Sequence, residues 1–172
     1  MLGVYENFPE NFHYSKSFTY TLSRSTFQQK LAKLLHEINR LSFTFEEVGS
    51  PAVPNSTVIF AFGIADEGKF NFLNETETRK VIEVLGKSGH HVIDVFCAIR
   101  YYKNQETKKR PLRFDYFLLR IIFDKEKNAE FQVFHERGPR YIAPEELVTF
   151  LAEKINETAA TTRKILKPTE PV

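Results

Sequence analysis

Two alternating runs, residues 112–123 and 129–135, flank the polar stretch Asp124-Lys125-Glu126-Lys127-Asn128, and their pairing constrains the fold more than any other feature. Side chains alternate between the two faces of a strand, so one register decision fixes what every residue of a hairpin faces. If Phe123 faces Ala129, then Ile121 faces Phe131, Leu119 faces Val133, Phe117 faces His135 and Asp115 faces Arg137. That face runs from wholly apolar to ionic. The other face pairs Ile122 with Glu130, Arg120 with Gln132, Leu118 with Phe134 and Tyr116 with Glu136, a mixed surface. A slip of one residue would carry the charges into the core, so this register is the one expected.

The rest of the chain supplies partners for the hairpin. Residues 12–22 alternate, with Phe12, Tyr14, Phe18, Tyr20 and Leu22 on one parity, as a strand with one buried face does. Ser25-Thr26-Phe27-Gln28 has the form of a capping box, and Phe27, Leu31, Leu34, Leu35, Ile38 and Leu41 come after it at helical spacing. Phe43 and Phe45 open a short strand, and residues 51–55 read as a loop. Val58 to Phe62 is continuously apolar and suits a strand buried on both faces. Residues 65–69 (ADEGK) read as a tight turn into a strand holding Phe70 and Phe72.

Asn74 caps a second, shorter helix carrying Val81, Ile82 and Leu85 and closing at Gly86 or Gly89. Residues 92–101 form a further strand, apolar on both parities. Ala143-Pro144-Glu145-Glu146 opens a last helix, with proline in the first position and acids complementing the helix dipole. From Thr158 the pattern is lost, and residues 158–172 are expected as a frayed tail.

The order β-α-β-β-β-α-β-β-β-α predicts a single α+β domain over residues 1–157. Its architecture is a mainly antiparallel, curved sheet of about six to seven strands, with three helices packed largely on one face.

Composition narrows the function classes. The chain has 172 residues, a formal charge of +2 from 24 basic and 22 acidic residues, and 17 Phe with no Trp. So near-neutral a balance gives no global argument for a nucleic-acid or membrane partner, and only local clustering can carry one. The phenylalanine surplus points to a thick aromatic core, an apolar ligand pocket, or an interface with a second copy or another protein. Cys97 is alone, which excludes an internal disulfide and a cysteine-based zinc site. No stretch approaches 18 apolar residues and no export signal opens the chain, so a cytoplasmic protein that spans no membrane is expected.

Three clusters bear on chemistry. Asp115, His135 and Arg137 gather in the predicted register at the end of the hairpin, with Arg113 and Arg140 close in sequence. A carboxylate-oriented histidine beside an arginine suits acid–base work on a small anionic substrate, with Arg113, Arg137 and Arg140 as anion contacts. The plainer reading is a cross-strand ion pair closing the sheet. A second cluster, Arg100, Tyr102, Lys103, Lys108, Lys109 and Arg110 with Tyr101, Arg113 and Tyr116, interleaves bases with rings as single-stranded nucleic-acid binders do. A solvated loop guarding a sheet edge has the same composition. Thirdly, Asp115 followed by Glu130-Phe131-Gln132 is loosely similar to the acid and E-x-K set of restriction-type nucleases. The register separates Asp115 from Glu130 by roughly 23 Å along the strand, and glutamine replaces the lysine, so a shared Mg²⁺ is not expected.

His90 and His91 are consecutive on a strand and point to opposite faces, with His13 and His36 elsewhere, so no metal or other cofactor is expected. No nucleophile-elbow, zinc-protease or glycine-rich nucleotide motif occurs. The best reading from sequence is a binding or interaction module without catalytic activity.

Overall fold

A computed structural model describes residues 1–50, 55–103 and 111–169. Its strands are β1 (Tyr14–Tyr20), β2 (Phe43–Thr44), β3 (Ser56–Asp66), β4 (Lys69–Phe72), β5 (Val92–Lys103), β6 (Pro111–Phe123), β7 (Asn128–Arg137) and β8 (Leu166–Pro168). The helices are α1 (Arg24–Asn39), α2 (Phe45–Val48), α3 (Glu75–Lys87) and α4 (Pro144–Glu157). All strand pairs are antiparallel, in the order β2-β3-β5-β6-β7-β1-β8, with β4 folded back on β3. The predicted α+β architecture is present, with a short extra helix and an extra strand.

The turns obey their local chemistry. Asp66 faces Lys69 across Glu67 and Gly68, whose φ values of +52° and +76° give the left-handed pair that a two-residue hairpin requires. In the 124–128 loop the Asp124 carboxylate takes the backbone N–H groups of Glu126 and Asn128 and the Asn128 side chain. These bonds, first that of the Asn128 amide, hold its pKa below the usual carboxylate value. The helix starts differ in one case from the sequence reading. Asn74 caps α3 through Glu77 N–H, and Glu146 reaches back to Ala143 N–H at 2.9 Å. The cap of α1, however, is Ser23, which accepts from Thr26 N–H, while Ser25 donates its hydroxyl to Leu85 O. Phe45 likewise opens α2 instead of extending a strand.

One face of the sheet carries the core. Val58, Phe60 and Phe62 of β3, Val95, Cys97 and Ile99 of β5, and Phe117, Leu119 and Ile121 of β6 join the buried stripes of α1 and α4 there. Rings meet rings: Phe60 stacks on Phe150, Phe43 meets Phe150 edge-on, and Phe45 stacks on Tyr101. Helix α3 packs chiefly against α1, outside the sheet. The segment expected as a frayed tail is a correction. Ile165 and Leu166 are buried, Tyr20 pairs with Leu166, and Asn156 both accepts from and donates to the Leu166 backbone. Two apolar residues are too few for a sequence pattern, yet enough to hold an edge strand once β1 offers its ladder.

The hairpin register holds for Phe123–Ala129, Ile121–Phe131, Leu119–Val133 and Phe117–His135. The pairs Ile122–Glu130, Arg120–Gln132 and Leu118–Phe134 hold as well. It then breaks. Tyr116 faces Arg137, so Glu136 is an extra residue on β7 and the predicted Asp115–Arg137 and Tyr116–Glu136 pairs do not form. A β-bulge turns the residues beyond it to the other face. Arg137 therefore leaves the core side, while Asp115 stays on it opposite Ile99 of β5.

Candidate functional site

The bulge divides the expected Asp115–His135–Arg137 cluster into two places on opposite faces of the sheet. On the core side, the Asp115 side chain is fully buried and receives four donors. His135 Nε2 at 2.8 Å and Arg140 N–H at 2.7 Å reach Oδ1; the Tyr101 hydroxyl at 2.6 Å and Tyr141 N–H at 3.0 Å reach Oδ2. Arg140 presents its N–H from a left-handed conformation, and Gly138 has a φ of +113° where a Cβ would lie 2.4 Å from Asp115 Oδ1. The carboxylate thus ties β5, β6 and β7 to the turn leading into α4. Burial first, and then the bond to Asp115, raise the Tyr101 hydroxyl far above the usual tyrosine pKa.

His135 has its ring edge-on to Phe117 at 5.0 Å and its side chain 8% exposed. Nε2 is turned to Asp115, and Nδ1 has no hydrogen-bond partner among the described residues. Beside it His13 takes the backbone N–H of His135 and stacks on Phe134 at 4.8 Å. Burial, then the charges of Arg140 and His135, lower the His13 pKa. Chemically this corner is a carboxylate-oriented imidazole, but its carboxylate is saturated by the groups that build the turn. That matches a clasp better than a reaction centre.

The other face carries no helix among the described residues. Its positions on β5, β6 and β7 form rows across the strands: Phe96, Leu118 and Phe134; then Ala98, Tyr116 and Arg137; then Arg100 and Phe114. The rings form a chain, Tyr5 to Phe70 at 4.8 Å, Phe70 to Phe96 at 5.8 Å, Phe96 to Tyr116 at 5.9 Å, and Tyr116 to Phe114 at 6.1 Å. Phe114 is 38% exposed and its plane lies within 9° of that of Tyr116. The Arg137 guanidinium sits 4.5 Å from the Tyr116 centroid. Arg113, Phe114, Tyr116, Arg137 and Gly138 line a shallow hollow of about 430 Å³. Among the described residues, Arg100, Arg113 and Arg137 enter no ion pair.

One end of this face is closed by the N-terminal segment. Gly3 donates to Ala65 O and accepts from Asp94 N–H, bridging β3 and β5 where they part. The buried Asp94 carboxylate pairs with Arg120 through both oxygens, at 2.8 and 2.9 Å, and takes Tyr5 N–H at 2.6 Å. Phe8 covers the Arg120 guanidinium at 4.5 Å. The hydrogen bonds to Asp94 raise the Arg120 pKa against the opposing effect of burial.

The sequence-derived candidates therefore separate. Asp115, His135 and the Arg140 backbone come together; Arg113 and Arg137 line the same hollow; Arg100 and Tyr102 share the helix-free face of β5, and Lys103 is exposed at its end. Lys108, Lys109 and Arg110 lie outside the described residues. Asp115 and Glu130 face partners far apart on the hairpin, as the register requires. No group of three or more metal-ligating side chains occurs among the described residues.

Sequence reasoning missed Tyr101 as a partner of Asp115, the Asp94–Arg120 pair, and the ring array. A signal for the array was present. Strands β5 and β6 are apolar on both parities, yet the helices suffice to cover one face.

No family model, no curated protein and no solved structure matches this chain.

Proposed function

We propose that the chain is a cytoplasmic binding module, without catalytic activity, that takes its ligand or partner on the helix-free face of the sheet. The observation that carries this reading is the ring array Phe70–Phe96–Tyr116–Phe114, partly open to solvent beside three arginines that enter no ion pair among the described residues. Soluble domains seldom leave contiguous aromatic surface uncovered, and where they do it usually serves binding. Rings are also rigid, so ordering them against a ligand costs little side-chain entropy. The Asp115–His135 cluster fits this reading as the device that holds the rim of the face in shape.

No helix among the described residues is long and apolar enough to cross a membrane. The lone thiol, Cys97, is buried, which suits a reducing compartment.

The test is a fragment titration followed in aromatic and methyl NMR spectra, with indole and phenol as probes. Shifts concentrated on Phe96, Phe114, Tyr116 and Phe134 support the face as a binding surface. Shifts confined to the helical side, or none at millimolar probe, overturn it.

A further inference from the structure

Resting on that reading, we infer that the ligand of the helix-free face is single-stranded nucleic acid. Bases stack on Phe114 and Tyr116, and backbone phosphates lie on Arg113, Arg137 and Arg100.

Three observations select this occupant. The first is ring geometry. Phe114 and Tyr116 are alternate residues of β6, their rings nearly parallel at 9°, and Phe114 is 38% exposed. Alternate positions on a strand repeat at about 6.6 Å. An unstacked chain of nucleotides easily spans that spacing, whereas bases inside a duplex present no free ring face.

The second is charge. Arg113 and Arg137 line the same hollow as the two rings, and Arg100 faces Phe114 across the strand pair. None is neutralised by an ion pair among the described residues, whereas Arg120, further along the face, is held by both Asp94 oxygens and donates to Tyr5 O. Glu136, exposed on the bulge, is the one acid on the adjoining stretch of β7. Surplus guanidinium charge beside an exposed ring, Phe114, is the combination that binds a flexible polyanion carrying flat groups.

The third is the bulge itself. Without Glu136 as an extra residue, Arg137 would point to the core side opposite Asp115; with it, Arg137 lies on the ring of Tyr116 at 4.5 Å. In that place it lies over the ring and enters no ion pair among the described residues. The hollow lined by Arg113, Phe114, Tyr116, Arg137 and Gly138 is shallow and open, so it suits a flat group laid on the surface. A second copy of the chain is the competing occupant, but like-charged arginines would then meet across a two-fold axis.

The experiment is fluorescence anisotropy of the whole chain with labelled single strands of about 12 nucleotides, oligo-dT and oligo-rU, and with a duplex of the same length. Sedimentation of the protein alone runs in parallel. Single strands should bind more tightly than the duplex, with log K falling against log salt at a slope of about −2, as three phosphate contacts give. Arg137→Gln should make that slope shallower by about 0.7. Phe114→Ala should weaken binding on the order of tenfold with the slope unchanged. Leu41→Ala, an exposed apolar change on the helical side, should do neither.

Equal binding of duplex and single strand, or indifference to Phe114→Ala, would mean charge alone and overturns the inference. So does an absence of binding at low salt. Concentration-dependent self-association abolished by Phe114→Ala, with no oligonucleotide bound, assigns the face to a second copy. In either of the last two cases fragment shifts on the face leave the binding-module reading standing, and their absence removes both.

Discussion

His135 Nε2 lies 2.8 Å from Asp115 Oδ1, on a carboxylate that also takes the Tyr101 hydroxyl and two backbone N–H groups of the turn into α4. An amide here keeps one acceptor oxygen, so two of the four donors keep a partner while the pair aimed at the other oxygen meets an NH2 group in its place. Asp115→Asn should therefore cost about 3 kcal/mol in urea unfolding. Arg137→Gln removes only an exposed cation–ring contact and should cost less than about 1 kcal/mol. Equal losses for the two variants would contradict the separation of Arg137 from Asp115.

Arg120 and Asp94 face each other on β6 and β5 with the aspartate fully buried. Arg120→Leu strands that charge and should destabilise the protein by roughly 3–5 kcal/mol, whereas Asp94→Leu combined with Arg120→Leu should recover much of the loss. Native-state hydrogen exchange gives a second check. The Gly3 and Tyr5 amides should lose protection in Arg120→Leu before the amides of β6 do.

Asn39, near the end of α1, accepts from Phe62 N–H at 2.6 Å and donates to Phe62 O at 3.0 Å, so it occupies the edge of β3 between β2 and β4. Asn39→Leu leaves the Phe62 N–H without a partner on a bare edge. A loss of about 2 kcal/mol in thermal unfolding is expected, together with more light scattering on heating than in wild type. Unchanged scattering would show that the edge is guarded by something else.

Burial lowers the His90 pKa from 6.5, and its Nε2 is buried with no partner among the described residues. A depressed folded pKa means that the unfolded chain binds the proton more readily below about 6.5. This contribution to stability is complete above pH 6.5 and is lost as the pH falls toward the lowered folded value. His13 acts in the same sense. The melting temperature should drop on acidification through this window, and His90→Gln should flatten the drop. An unchanged pH profile in that variant would remove His90 as the cause.

Much of the fold was legible because its signals are local. The period of two in 112–123 and 129–135 sets the hairpin register over most of its length, and Asn74 and Pro144 mark helix starts through bonds made within one turn. Strand β8 was not legible, since Ile165 and Leu166 mean little until β1 presents an open ladder. The cap of α1 shifted to Ser23 because Ser25 found a partner, Leu85 O, sixty residues away.

The candidate site divides in the same way. Its residue types, arginines interleaved with rings around residues 100–116 and the Asp115–His135 pair, could be read from the chain itself. Which face each occupies was decided by the extra residue Glu136, because a bulge depends on backbone partners on the neighbouring strand and leaves no mark in the alternation before it. From the chain alone one could read an antiparallel α+β architecture whose central strands, around Val58–Phe62 and Val92–Tyr101, are apolar on both faces. Only in the folded chain do the described helices gather on one side and the N-terminal segment cover one end of the other, which leaves Phe114 exposed and Phe96 and Tyr116 half-buried: the helices bury the face they reach, and residues 1–8 reach only part of the second.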